Sequence, residues 1–376
     1  MASFGDSAFA RAGRLACLCG EYFGPSDRPW RQPGTVHLSF GFAASVLAQA
    51  LVAGVLPLVG QQIAPGPAWT GVPFAVMLLG AVVATFPASH LLDRFGRRAA
   101  FALGASLGAA GGLIAAYALL QRDFGALCLG AFWLGVAQGF GLFYRHAAAL
   151  APGATPAGTA TIFGAGALAG LVGPWLAQTA EVFSEPVTLL GTLVAAAAAQ
   201  VAALALAVTI PEPPIGPAAT AGGPRMSITR FVFATAVAAA AWAAMIACMV
   251  GAPLAMLGCG ITVAGITGAV SWHLIAMYAP ALFAGRLVRA VGTAPAALCG
   301  LSAALGGAGW VAASSETAGF SAALALVGGG WAVAVAAATM HLHAGNAAPR
   351  PVALATHDAL CLCAALAAAL VTGAWA

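Results

Sequence analysis

Four side chains with soft donor atoms stand in two pairs of equal spacing, Met245 with Met249 and His273 with Met277. A separation of four residues puts both members of a pair on one helix face, about 6 Å apart on successive turns. Thioether, thiol and imidazole suit Cu(I), whereas harder ions prefer oxygen, so the chemistry on offer is soft-metal ligation. Cys248 adjoins the first pair, although its side chain points about 100° away from that of Met249. Met256 lies seven residues beyond Met249 on nearly the same face, with Cys259 just after it. A single Met in an apolar helix is usually a gap filler, but four of the eight methionines of the chain fall in or beside these pairs.

The elements that would position these ligands follow from composition. Of 376 residues 62% are hydrophobic and 6% charged, and the mean hydropathy is +0.96, so most side chains must face lipid or one another rather than water. A spanning helix needs about 20 apolar residues, and helix satisfies backbone polar groups where hydrocarbon offers no partner. Eleven such stretches are expected, at 36–59, 70–92, 98–120, 124–146, 159–181, 186–210, 229–256, 260–285, 293–314, 318–340 and 353–374. The fold class is thus an all-α membrane protein.

All fourteen basic residues are Arg, and with residues 1–35 as a cytoplasmic tail thirteen of them fall inside, with only Arg122 outside. That is a strong positive-inside bias. It predicts a multi-pass protein of the bacterial inner membrane with a cytoplasmic N-terminus, and it makes the net charge of +4 a report on topology, with no nucleic-acid partner implied. Measured from Arg230 and Arg289, Met245 and His273 lie 15 and 16 residues deep, roughly 22–24 Å at about 1.5 Å per residue. The four soft ligands are therefore expected to form a ladder near the membrane midplane, between spans seven and eight.

A Pro- and Gly-rich stretch, PEPPIGPAATAGGPR, separates spans six and seven. The predicted organisation is a tail (1–35), a six-helix bundle (36–210), a cytoplasmic linker (211–228) and a second bundle (229–376) carrying the candidate metal site. Ser89-His-Leu-Leu-Asp-Arg-Phe-Gly96 after span two matches Gly285-Arg-Leu-Val-Arg-Ala-Val-Gly292 after span eight in its Leu and Gly positions, as expected of parallel halves. The run Asp93-Arg94-Phe95-Gly96-Arg97-Arg98 resembles the loop signature of the major facilitator superfamily, G-x-L-x-D-R-x-G-R-R, with Ser89 in place of the leading Gly. The resemblance implies two bundles of about six helices, one more than the eleven spans counted. It also implies a gating role for Asp93, Arg94, Gly96, Arg97 and Arg98, holding the halves together in one state. Glycines at 135, 139 and 141 in span four and at 166, 170 and 173 in span five have the small-residue spacing of close helix contacts.

Within that superfamily the Met-x-x-x-Met and His-x-x-x-Met pairs, 28 residues apart, resemble the CcoA-type copper importers. The resemblance implies Cu(I) as substrate ion, no prosthetic group, a ligand role for Met245, Met249, His273 and Met277, and delivery to copper chaperones that supply haem-copper oxidases. The wider family also contains riboflavin-type carriers, so the alternative is a small organic solute in a cavity lined by Trp242 and Trp272. A third reading is a sensor or assembly protein that does not transport, favoured by the count of eleven spans.

Other residues rank lower. Met340, His341 and His343 with His357, Asp358, Cys361 and Cys363 form a candidate release site, and Cys17 and Cys19 a weaker one. Arg145, between Tyr144 and His146 at the end of span four, reads as a helix anchor in preference to an anion ligand. His90 lies near the membrane interface. No nucleotide loop or nucleophile triad occurs, which argues against an enzyme. Acidic residues within the spans are few, Asp358 being the nearest case, so proton coupling has little visible machinery.

Overall fold

The computed structural model describes residues 34–151, 154–212, 226–345 and 349–374. Its main elements are helices: α1 Thr35–Ile63, α2 Val72–Gln121, α3 Phe124–Ala149, α4 Pro156–Gly164, α5 Ala167–Ser184, α6 Leu190–Ala207, α7 Ile228–Gly258, α8 Val263–Ala276, α9 Ala281–Val291, α10 Thr293–Ala313, α11 Thr317–His343 and α12 Pro351–Ala374. The Cys17 and Cys19 pair, the tail arginines and residues 213–225 of the linker lie outside the described residues.

Helix α2 has 50 residues, about 75 Å at 1.5 Å per residue, more than twice a hydrocarbon core of about 30 Å. It crosses twice because it breaks at Gly96, whose φ of 80° and ψ of −177° belong to a region that only glycine occupies without strain. The Glu212 carboxylate, arriving after α6, fills the space beside Gly96 where a Cβ would sit. It accepts the backbone N–H groups of Arg97 at 3.2 Å and Arg98 at 2.7 Å. The third span therefore starts on an anion at a helix N-terminus, where the free N–H groups favour negative charge.

Two further spans are interrupted. Helices α4 and α5 meet at Ala165 and Gly166, and α8 bends by 41° into α9 across Met277–Pro280. The sequence pattern predicts both as continuous; short-range hydropathy does not register a bend inside an apolar run. With α2 counted twice and each broken pair once, the described residues contain eleven spans, matching the expected segments in number and place.

The halves repeat one another at a finer level than the loop motif. In the third and fourth spans a Cβ on Gly111 would meet Gly130 O at 2.8 Å, and one on Gly130 would meet Gly111 O at 2.7 Å and Ala115 N at 2.7 Å. In α10 and α11 the same reciprocal contact joins Gly300 and Gly330, at 2.8 and 2.7 Å to each other's carbonyl oxygens. Both pairs let backbones touch where any side chain would hold them apart, the usual basis of close packing in a membrane.

Two seams join the halves: the second span packs on α12, and α4–α5 packs on α8–α9. At the first seam Ser89 Oγ donates to Pro351 O at 2.6 Å. At the second a Cβ on Gly285 would lie 3.0 Å from Pro156 O. Ser89 and Gly285 are the first residues of the two matched loop motifs, and each abuts the proline that begins a helix in the opposite half. The end of the molecule that carries the arginines is therefore closed by a symmetric pair of backbone contacts, and the departure from Gly to Ser at position 89 adds a hydrogen bond to one of them.

Candidate functional site

The interface between the halves holds a buried charge cluster. Arg145, near the end of α3, pairs through Nη2 with Asp358 Oδ1 on α12, and the two side chains are 2% and 0% exposed. His146 Nε2 lies 3.2 Å from Asp358 Oδ2, and its Nδ1 lies 3.0 Å from Nε2 of His343, the last residue of α11. On the other side of the carboxylate His357 contacts Thr235 Oγ1 of α7 through Nδ1 at 2.9 Å, and its Nε2 is 3.9 Å from Asp358 Oδ1. Four helices from both halves are thus linked, directly or through one intervening histidine, around one carboxylate. Removing one partner of a buried ion pair strands the other at about 3–5 kcal/mol. The anchor reading of Arg145 is corrected: its side chain turns inward to Asp358, although it sits only one turn from the helix end.

Beside the cluster runs a belt of aromatic rings that also crosses the interface. From the N-terminal half come Phe42, Tyr144 and Phe163; from the C-terminal half come Trp242, Tyr278 and Trp331. Phe163 lies 5.6 Å from Tyr278 and 5.5 Å from Trp331, Tyr278 lies 6.0 Å from Phe42, and Trp242 meets Trp331 edge-on at 4.9 Å. Tyr278 occupies the bend between α8 and α9 and packs over Gly166 in the break between α4 and α5, where a Cβ would fall 2.5 Å from its ring. The two broken spans face each other at this level, so the bends are what bring Tyr278 into the interface. Ring spacings of 4.5–7 Å are those of favourable aromatic pairs.

The soft-ligand residues lie on α7 and at the end of α8. Met245, Cys248 and Met256 are buried on α7, with Met249 half-buried; His273 and Met277 are buried on α8 and just beyond it. Helices α7 and α8 touch each other little, and α11 packs against both. His273 is engaged by that helix through Nδ1 and Leu324 O at 2.7 Å, and its Nε2 has no partner. Among the described residues no three His, Cys, Asp or Glu side chains are arranged to hold a metal ion. The candidate release site therefore separates: His343, His357 and Asp358 join the charge cluster, His341 turns to Thr293 at 2.7 Å, Cys361 is buried and Cys363 is exposed.

Trp272 is 65% exposed, which corrects the expected Trp-lined cavity. It adjoins His273, but one residue is about 100° around a helix, so one faces inward and the other outward. Trp331, not singled out by the sequence, takes its place against Trp242. The loop motif is bound within its own half: Arg97 Nη2 donates to Ala147 O at 2.8 Å and Arg98 Nε to Ile210 O at 2.5 Å. Asp93, Arg94 and His90 are exposed. In this state the contact across the halves at this motif comes from Ser89.

No family model matches the chain. The riboflavin transporter RfnT of Brucella anthropi is 29% identical over 262 residues, 65% of this chain and 66% of that protein, so the match spans just under two thirds of the relative's length. Among solved structures, the human organic anion transporter MFSD10 superimposes with a TM-score of 0.70 at 15% identity, over 93% of this chain and 94% of that one. The fucose:proton symporter FucP of E. coli gives 0.63 at 14% identity over 90% of each chain. A bacterial homologue of the iron transporter ferroportin in its outward-facing state gives 0.61 at 13% identity, over 90% and 97%. The chain has the fold of the major facilitator transporters.

Proposed function

We propose that the protein is a membrane carrier for a flat aromatic solute of the flavin class, working by alternating exposure of the interface between its two halves. The observation that carries this reading is the aromatic belt crossing the interface, with Phe42 and Phe163 from one half against Tyr278 and Trp331 from the other. A planar ring entering between the halves exchanges ring–ring contacts for contacts with itself, so closure over the solute keeps the same type of surface buried. The likeness to a riboflavin transporter supports this cargo. The arginine-rich end is taken as cytoplasmic by the positive-inside bias, so the closed seams at Ser89 and Gly285 face the cell interior. Riboflavin uptake by cells unable to synthesise it, growing on micromolar riboflavin only when they express the chain, is the expected result. Equal growth without the chain rejects the cargo.

A second reading, Cu(I) import toward copper chaperones, is favoured by one observation: His273 is held by Leu324 O through Nδ1, which leaves a buried Nε2 lone pair, with buried Met277 four residues further along. It predicts copper-64 accumulation that depends on the chain and falls with His273→Ala, and a riboflavin uptake that does not need His273.

A further inference from the structure

The charge cluster leaves three buried polar atoms unmatched: Nε and Nη1 of Arg145 and Nε2 of His357. A guanidinium carries five N–H donors and no acceptor, and only Nη2 is used on Asp358. Arg–carboxylate pairs are frequently bidentate, with two guanidinium nitrogens on one carboxylate. Here both carboxylate oxygens are taken, one by Arg145 and one by His146, while two of the three guanidinium nitrogens remain without a partner. Leaving such donors unmade in an apolar interior is costly.

We propose that these atoms bind the acceptor edge of the carried solute, a pair of carbonyl or oxyanion oxygens on a flat ring, and that Arg145 thereby selects the cargo. Three features of the structure fit that chemistry. Arg145 comes from α3 and His357 from α12, so a group reaching both lies across the seam. Arg145 directly follows Tyr144, whose ring lies 6.2 Å from that of Phe42, and His146 lies 5.4 Å from the ring of Phe143, which sets the cluster beside the aromatic belt that would hold the ring. A cation is disfavoured here, because the Arg145 charge stands beside the site and each Asp358 oxygen already accepts one bond. The proposal rests on the reading of the chain as a solute carrier but not on flavin being the solute.

The test is equilibrium binding to the purified full chain of three fluorescent probes: riboflavin, fluorescein as an unrelated flat ring with acceptor oxygens, and proflavine as a flat cation without them. Arg145→Gln alone strands Asp358, so it is combined with Asp358→Asn to leave a neutral pair; His357→Gln is measured separately. The expected result is binding of riboflavin but not of proflavine. Binding is expected to weaken tenfold or more in the double variant, the loss of hydrogen bonds to a charged donor, and about threefold in His357→Gln. Fluorescein bound in place of riboflavin, with the same losses, keeps the acceptor site and rejects the flavin cargo. Riboflavin or fluorescein affinity within twofold of wild type in the double variant, equal binding of proflavine, or no probe bound by the wild type overturns the proposal.

Discussion

Replacing Gly285 by Ala should open the arginine-rich end of the molecule. The added methyl would lie 3.0 Å from Pro156 O and 3.1 Å from both N and Cα of Ala157, against about 3.5–4.0 Å for ordinary carbon contacts. All three opposing atoms are backbone at the start of α4, so no side chain can swing away, and the seam must part by a few tenths of an ångström. Overpacking of this kind costs about 1–3 kcal/mol. The cost falls only on the state in which α4 and α9 touch, so the closed-to-open ratio should drop by about 5- to 150-fold at 1.4 kcal/mol per tenfold. Hydrogen–deuterium exchange of the protein in lipid nanodiscs reads this directly. Amides of residues 154–164 and 281–292 should exchange faster in Gly285→Ala, as should the other seam near Ser89 and Pro351, while α10–α11 contacts at Gly300 and Gly330 stay protected. Unchanged exchange at both seams in a folded variant would refute the idea that these contacts define a closed state.

Three other predictions follow the same logic. Ser89→Ala removes only the bond to Pro351 O; hydrogen bonds between membrane helices average about 0.6 kcal/mol, so its seam should loosen about threefold by the same exchange measurement. Gly96→Ala forces a residue with a Cβ into a glycine-only backbone region and against the Glu212 carboxylate 2.8 Å away; backbone strain alone costs about 1–3 kcal/mol, visible as a lowered melting temperature that Gly96→Asn does not repair. Trp331→Ala should reduce riboflavin uptake at least tenfold by removing a ring from the belt, whereas Trp272→Ala, at an exposed site, should leave uptake within twofold of wild type.

The sequence carried the span count because each apolar run is a local property, and the positions of the helices agree closely with the runs that predict them. The charge cluster was not legible in the same way. Arg145 and Asp358 are 213 residues apart and each lies near a helix end, where an arginine is ordinarily an anchor and a carboxylate is ordinarily hydrated; the packing of α2 on α12 holds the halves together, and the long Arg145 side chain reaches across from α3. The reciprocal glycine pairs at 111 with 130 and 300 with 330 were hidden among the 48 glycines of the chain. The soft-ligand spacing accounts for each pair along its own helix, but spacing along a helix says nothing about how closely two helices pack, and α11 packs more extensively on α7 and α8 than these do on each other. Trp272 and His273 make the same point within a single turn: adjacent residues, opposite environments.

The central claim is that the aromatic interface between the halves carries a flavin-class solute across a membrane. Purified protein in sealed vesicles, supplied with radiolabelled riboflavin outside and excess unlabelled riboflavin inside, tests it without cellular metabolism. The account predicts transient accumulation of label by counterflow that requires the chain and is lost in Trp331→Ala. Label equilibrating at the rate of protein-free vesicles, with the wild-type chain folded and inserted, would contradict it.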